Sequence, residues 1–163
     1  MLETVFGAKK DQWYMQQALD QAQCAAAINE VPIGAVVVNA EGEIVGRGFN
    51  SVERDRTQRS HAECIALEQA SKTLGDWRLN GHWLYVTLEP CSMCMGLITL
   101  SRLSGVIYGA ASPLFGFSLD NKEDLWVYKR DALFILQGIK EPEAAALLKD
   151  FFHKKRKRRG KEK

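Results

Sequence analysis

Two short segments hold the side chains able to do chemistry: His61-Ala62-Glu63 and Pro90-Cys91-Ser92-Met93-Cys94, with 29 residues between His61 and Cys91. One imidazole and two thiolates form the borderline-soft donor set that suits Zn²⁺. Two cysteines at i and i+3 of a helix start point the same way, and the positive end of that helix favours thiolates. Three protein ligands leave a tetrahedral position for water, which is the habit of catalytic zinc rather than structural zinc. No fourth ligand suggests itself. Cys64 lies one turn after His61, but a helix that aims His61 and Glu63 at the metal turns Cys64 towards the core. Cys24, His82 and His153 show no paired spacing. Glu63, two residues from His61, can sit beside the metal without ligating it. A carboxylate there can take a proton from a bound water, whose pKa zinc lowers to roughly 7, and deliver it onward.

Other readings compete residue by residue. Cys91-x-x-Cys94 fits a redox dithiol, but then His61 and Glu63 have no role, and a closed structural site lacks its fourth ligand. Cys24 and Cys64 read as core thiols, since free cysteine behaves as a small apolar residue. His82 reads as a surface or edge histidine. Trp13, Trp77, Trp83 and Trp126 read as core or interface side chains. Phe115 and Phe117 fall in a loop, where stacking on a nucleotide competes with packing.

The elements that must position these groups follow from periodicity. Apolar residues at Trp13, Met15, Ala18, Leu19, Ala22, Ala25, Ala26 and Ile28 predict an amphipathic helix over 11–28. The run 33–38 and the segment 43–49, joined by a Glu41-Gly42 turn, predict a hairpin. Residues 50–60 read as a loop. A helix follows over 61–72, with Ser60 and Glu63 placed for a capping box. A strand over 83–88, a helix over 92–101 after Pro90, and a strand over 105–109 come next. Then come an aromatic-rich loop over 110–120, a short helix near 121–128, a fifth strand at 132–136, and a closing helix over 141–153 that can extend further. This order places helices on both faces of one mixed sheet.

At 163 residues, 46% apolar and 26% charged, the chain suits one soluble domain. No apolar run approaches the ~20 residues of a membrane span, and no secretory leader is visible at the N-terminus. A reducing cytoplasmic setting, in which cysteines bind metal rather than pair, is the expectation. The net charge of +2 conceals a tail: residues 154–163 carry +7, against −5 for the 153 residues before them. We therefore divide the chain into a zinc-binding domain, 1–153, and a basic tail, 154–163. Lys154, Lys155, Arg156, Lys157, Arg158 and Arg159 are the candidates for nucleic-acid contact.

His-x-Glu followed by Pro-Cys-x-x-Cys is the described signature of zinc base deaminases. With Val31-Pro32-Ile33-Gly34-Ala35-Val36, Gly48-Phe49-Asn50, Thr87-Leu88-Glu89 and Phe151-Phe152-His153-Lys154-Lys155-Arg156, the chain resembles the cytidine/deoxycytidylate deaminase superfamily. Within it the likeness is to the bacterial tRNA adenosine deaminases, over nearly the whole length. The resemblance implies a three-layer α/β/α sandwich with a mixed five-stranded sheet, cytidine deaminase-like, assembled as a homodimer. It implies one Zn²⁺ per subunit on His61, Cys91 and Cys94, with Glu63 shuttling protons. It also implies a nucleoside site formed by Asn50, Val31, Ala62 and Ser112. The implied reaction converts the wobble adenosine of an arginine tRNA, presented by the anticodon stem-loop, to inosine. Two departures fall where substrate is gripped. Thr57-Gln58-Arg59-Ser60 stands where the family usually has Asp-Pro-Thr-Ala, and Ser112 stands where it usually has an Asp. A deaminase of a free base or nucleotide, such as guanine, cytosine or deoxycytidylate, would share the metal site; the basic tail argues for RNA. Glu63 argues against a non-catalytic RNA-binding subunit.

Overall fold

The computed structural model describes residues 2–120 and 133–160. Helix α1 (Ala8–Ala27) leads into a hairpin of β1 (Gly34–Val38) and β2 (Ile44–Phe49). After a single turn of helix, α2 (Val52–Asp55), come α3 (Ala62–Leu74), β3 (Trp83–Leu88), α4 (Ser92–Leu100) and β4 (Gly105–Ala110). A 3₁₀ turn at Phe117–Leu119, β5 (Phe134–Gln137) and α5 (Glu141–Arg159) follow among the described residues. The sheet order is β2-β1-β3-β4-β5. β1 is antiparallel to β2 and β3, whereas β3, β4 and β5 run parallel. The expected mixed five-stranded sheet is therefore present.

Period-2 alternation sorts the strand side chains between two apolar layers. Val36, Val38, Tyr85 and Ile107 pack with Tyr14, Met15 and Ala18 of α1. Val37, Leu84, Val86 and Val106 pack with Ala66, Leu67 and Ala70 of α3 and with Met95 and Ile98 of α4. Ala144 of α5 joins the α1 side, against Leu19 and Ala110. All five residues of β1 are buried, as a central strand covered by helices on both faces requires. Each fully buried aliphatic side chain contributes about 1.5–3 kcal/mol.

Two glycines set how closely α3 lies on the sheet. A Cβ at Gly46 would meet the Ala66 carbonyl oxygen at 2.2 Å, and one at Gly48 would meet that of Ala62 at 2.3 Å. Only hydrogen at these positions lets α3 rest on the β2 backbone, and Ala62 is the first residue of that helix. The strand thereby locates the start of α3.

Several expectations need correction. α2 interrupts the loop expected over 50–60. Ser60 does not cap α3: His61 occupies the N-cap position without a side-chain cap bond, and Ser60 Oγ donates instead to Asp55 Oδ2 at 3.0 Å. Cys24 is exposed and Cys64 half-buried, so neither is a core thiol. His82 is buried, its Nδ1 3.0 Å from the Asn80 carbonyl oxygen. Trp83 joins the core, whereas Trp13 and Trp77 are half exposed. Trp126 and the helix expected near 121–128 lie outside the described residues, and the fifth strand begins two residues later than expected. No helix among the described residues is long and apolar enough to cross a membrane.

Candidate active site

The register of β1 against β3 puts Ala35 opposite Val86, so the entry to β1 and the exit of β3 share one edge of the sheet. Leu88, the last residue of β3, and Ile33, Asn50, Glu89 and Ser112, just beyond the strands, therefore gather there. The first turns of α3 and α4 meet at the same edge: His61 is the N-cap residue of α3 and Cys91 that of α4, both with extended backbone. The positive ends of both helices favour thiolate there.

His61 Nδ1 lies 3.4 Å from Cys94 Sγ and 3.7 Å from Cys91 Sγ. The three donor atoms all fall within 4.8 Å of one another. A tetrahedral Zn²⁺, with bonds of about 2.3 Å to sulfur and about 2.0–2.1 Å to nitrogen, holds sulfur and nitrogen about 3.6 Å apart. The observed separations bracket that value, so the residues fit the ion. Cys64 Sγ approaches Cys94 Sγ at 3.8 Å. It is absent from the group of mutually close donors, and among the described residues no fourth protein ligand joins the three.

In the metal-free site the electrostatics favour an anionic Cys91 beside a protonated Cys94. The Cys91 thiol is drawn down to about 4 by hydrogen bonds from the Cys94 thiol and, more weakly, from His61. Its neighbour Cys94 is pushed up by Cys64 and Cys91. His61 is held above its ordinary value, chiefly by its hydrogen bond to Cys91. Glu63 is 4% exposed, and burial raises its carboxyl above the usual range. A carboxyl so placed exchanges protons nearer neutral pH than a solvated one does.

These groups open onto a cavity of about 410 Å³ lined by Ile33, Asn50, Ala62, Leu88, Glu89, Ser112 and Phe115 together with His61, Glu63 and Cys91. Of the residues named from sequence for the nucleoside, Asn50, Ala62 and Ser112 line it. Val31 does not; its carbonyl accepts Asn50 Nδ2–H at 3.3 Å and so orients that amide. Asn50 N–H also donates to the Ile33 carbonyl at 2.9 Å. The turn that follows is pinned twice. Glu30 Oε1 accepts the Arg54 N–H at 2.7 Å, and Asp55 accepts Ser51 Oγ at 2.6 Å and Ser60 Oγ.

Glu89 escaped the sequence reading as a site residue. It is 4% exposed and accepts the backbone N–H of both Ser112 and Ser118, at 2.8 and 3.0 Å. A Cβ at Gly116 would come within 2.3 Å of its carboxylate. A carboxylate directly after an apolar strand was the available signal. Phe117 packs in the core, its ring 6.1 Å from that of Tyr108, whereas Phe115 stays exposed at the cavity mouth.

The basic residues form no part of this cavity. Residues 154–159 continue α5; Lys154, Arg156, Lys157 and Arg158 are exposed, and Lys155 Nζ sits 5.6 Å from the Phe151 ring centre.

Fold and site together define a zinc-binding deaminase domain. A profile of the cytidine and deoxycytidylate deaminase zinc-binding region matches residues 8–110, and the chain belongs to this family. The tRNA-specific adenosine deaminase of Bacillus subtilis (strain 168) is 40% identical over 154 residues, 92% of this chain and 93% of that one. That of Streptococcus pyogenes serotype M1 is 35% identical over 156 residues, 94% and 90% of the two chains. A solved structure from studies of A-to-I editing by tRNA:A34 deaminases at the wobble position of transfer RNA superposes with a TM-score of 0.74. It is 35% identical and is matched over 83% of this chain and 99% of that one.

Proposed function

We propose that this protein hydrolyses adenosine to inosine at the wobble position of tRNA, with an arginine tRNA as substrate. The observation that carries the reading is Glu63, buried beside three convergent metal donors at the base of a cavity of nucleobase size. The names of full-length relatives at 35–40% identity support adenosine and tRNA as the substrate class.

Bound Zn²⁺ supplies a water acidic enough to act as nucleophile at neutral pH. The chain does the rest. Asn50 and Ser112 hold the nucleoside with C6 of adenine above the metal donors, and Ala62 lines the floor. Glu63 accepts the proton of the attacking water, passes it to N1 of the ring, and moves the second proton to the departing amine. C6 gains oxygen and loses nitrogen, and ammonia leaves. The anticodon loop presents unstacked bases, so little pairing energy opposes entry. Lys154 to Arg159 hold flanking phosphates. The protein acts as a homodimer in the cytoplasm, by analogy with the family.

The test is to incubate zinc-loaded protein separately with tRNA, guanine and deoxycytidylate, then digest the RNA and measure inosine by mass. Inosine at the wobble base supports the reading; ammonia from the free base or nucleotide alone rejects it.

A further inference from the structure

The two metal-binding helices begin alike. Cys64 is the third residue of α3 and Cys94 the third residue of α4, and both helices start at the same edge of the sheet. Their sulfurs lie 3.8 Å apart. Cys94 is buried and belongs to the metal-binding set with His61 and Cys91. Cys64 is half-buried and stands outside that set. The deamination chemistry gives it no task, and residue 64 falls outside both signature motifs.

Cys64 is reached without passing through the substrate cavity. It lines a separate concavity of about 290 Å³ along the flanks of α3 and α4, whose walls include Arg59, Leu67, Trp77, Leu97 and Leu100. That concavity shares no lining residue with the cavity over the metal donors. A small oxidant therefore has its own route to the Cys64 sulfur, and a metal-binding sulfur stands directly behind it. An accessible thiol backed by a second sulfur is the arrangement in which oxidation runs on to a disulfide. A disulfide sets its sulfurs about 2.0 Å apart, so an approach of about 1.8 Å separates this pair from bonding. Side-chain rotation supplies a shift of that size.

We infer that Cys64 is the site at which hydroperoxides modify this protein, closing a Cys64–Cys94 disulfide that takes one ligand from the zinc and releases the ion. The inference rests on the metal centre and not on the RNA substrate. The Cys64 sulfur attacks one peroxide oxygen. The O–O bond breaks, Cys64 becomes a sulfenic acid, and the other oxygen takes the thiol proton and leaves as water, or as an alcohol from an organic peroxide. The Cys94 sulfur then attacks the Cys64 sulfur with the electron pair that bound the metal. The S–S bond forms, the S–O bond breaks, and hydroxide leaves to be protonated by solvent. The sulfur pair is oxidised by two electrons and the peroxide is reduced. His61 and Cys91 alone are too few donors to keep the ion.

The experiment treats zinc-loaded full-length protein with hydrogen peroxide beside a chromophoric zinc indicator, and maps disulfides by peptide mass. Trypsin puts Cys64 and Cys94 on different peptides, whereas Cys91 and Cys94 share one. Wild type loses its zinc in step with the Cys64–Cys94 disulfide, and dithiothreitol with added Zn²⁺ restores the zinc content. Cys64→Ser and Cys64→Ala begin with the zinc content of wild type and keep it at the peroxide dose that empties wild type. Zinc loss from both variants at the wild-type rate overturns the inference. So does a Cys91–Cys94 disulfide in oxidised wild type, or Cys64 carried to sulfinic acid with the zinc retained. Should either variant bind no zinc at the outset, the wild-type map decides: a Cys64–Cys94 disulfide supports the inference, and any other pairing, or none, overturns it. Neither readout uses RNA, so failure of the substrate reading is told apart from failure here.

Discussion

The Glu89 carboxylate accepts the backbone N–H of Ser112 at 2.8 Å, tying the residue that precedes the metal-binding helix turn to the loop that forms the far wall of the cavity. This bond and its counterpart at Ser118 are charge-assisted and shielded from solvent, so their loss is costly. Glu89→Ala leaves two loop N–H groups without their acceptor and is expected to cost about 2–4 kcal/mol in stability. Chemical denaturation gives that figure, and RNA titration of the same variant should show a weakened half-saturation. Glu89→Gln keeps one acceptor oxygen and should recover part of both losses.

Removing Glu63, the proposed proton carrier, should separate binding of metal from chemistry. Glu63→Ala is expected to retain zinc by elemental analysis while deaminating about 10²–10⁴-fold more slowly. Cys91→Ala should lose metal and activity together, because only two of the three donors remain. Unchanged turnover in Glu63→Ala would remove that residue from the mechanism.

Gly48 tests the contact that locates α3. Gly48→Ala drives a methyl into the Ala62 carbonyl. An overpacking cost of about 2 kcal/mol corresponds to a fall in Tm of roughly 4–8 °C for a chain of this size. Because His61 immediately precedes Ala62, zinc affinity should fall as well, measurable by competition with a chelator. A variant as stable and as metal-avid as wild type would show that α3 is positioned by other contacts.

Asp55 gives a dependence on pH with a definite sign. Its carboxyl is held well below the usual carboxylate range by Arg54, then by Ser51 and Ser60. A lowered folded-state pKa favours folding when the group is ionised. The contribution is complete above the ordinary value of 3.8 and disappears as pH falls through the lower folded-state value. The stability gap between wild type and Asp55→Asn should be constant from pH about 7 to about 5 and shrink below about 4. A gap that widened with acid would reverse the assignment.

The tail predicts a salt response. Replacing Lys154, Lys157 and Arg158 by Gln should weaken RNA binding and flatten the slope of log affinity against log salt by up to about 2. An unchanged slope would mean that these cations face no phosphate.

Much of this was legible in the chain because period and spacing are local signals. The buried runs of β1 and β3, and the apolar faces of α1 and α3, announce themselves within a few residues. The two motifs name the metal donors outright, since His61, Cys91 and Cys94 have few other reasons to share that order. What stayed hidden depends on which of several available partners a side chain takes in the folded chain. Asp55 binds Ser51, four residues away, but its third bond, to Ser60, outcompetes the capping box by supplying that hydroxyl with a charged acceptor. Cys64 sits one turn after His61, yet it is only half-buried, its Sγ 3.8 Å from Cys94 Sγ of α4. Phe115 and Phe117 are alike in sequence; only the Glu89 clamp and the Tyr108 ring separate an outward aromatic from a core one.

The last helix runs without a break from Glu141 to Arg159, 19 residues or about 28 Å. Lys154 to Arg158 are therefore spokes on an axle rather than beads on a string, each held at an angle fixed by the turns before it. One residue inserted ahead of Lys154 would swing the whole array by about 100°, aiming the same charge at a different quarter of the surroundings.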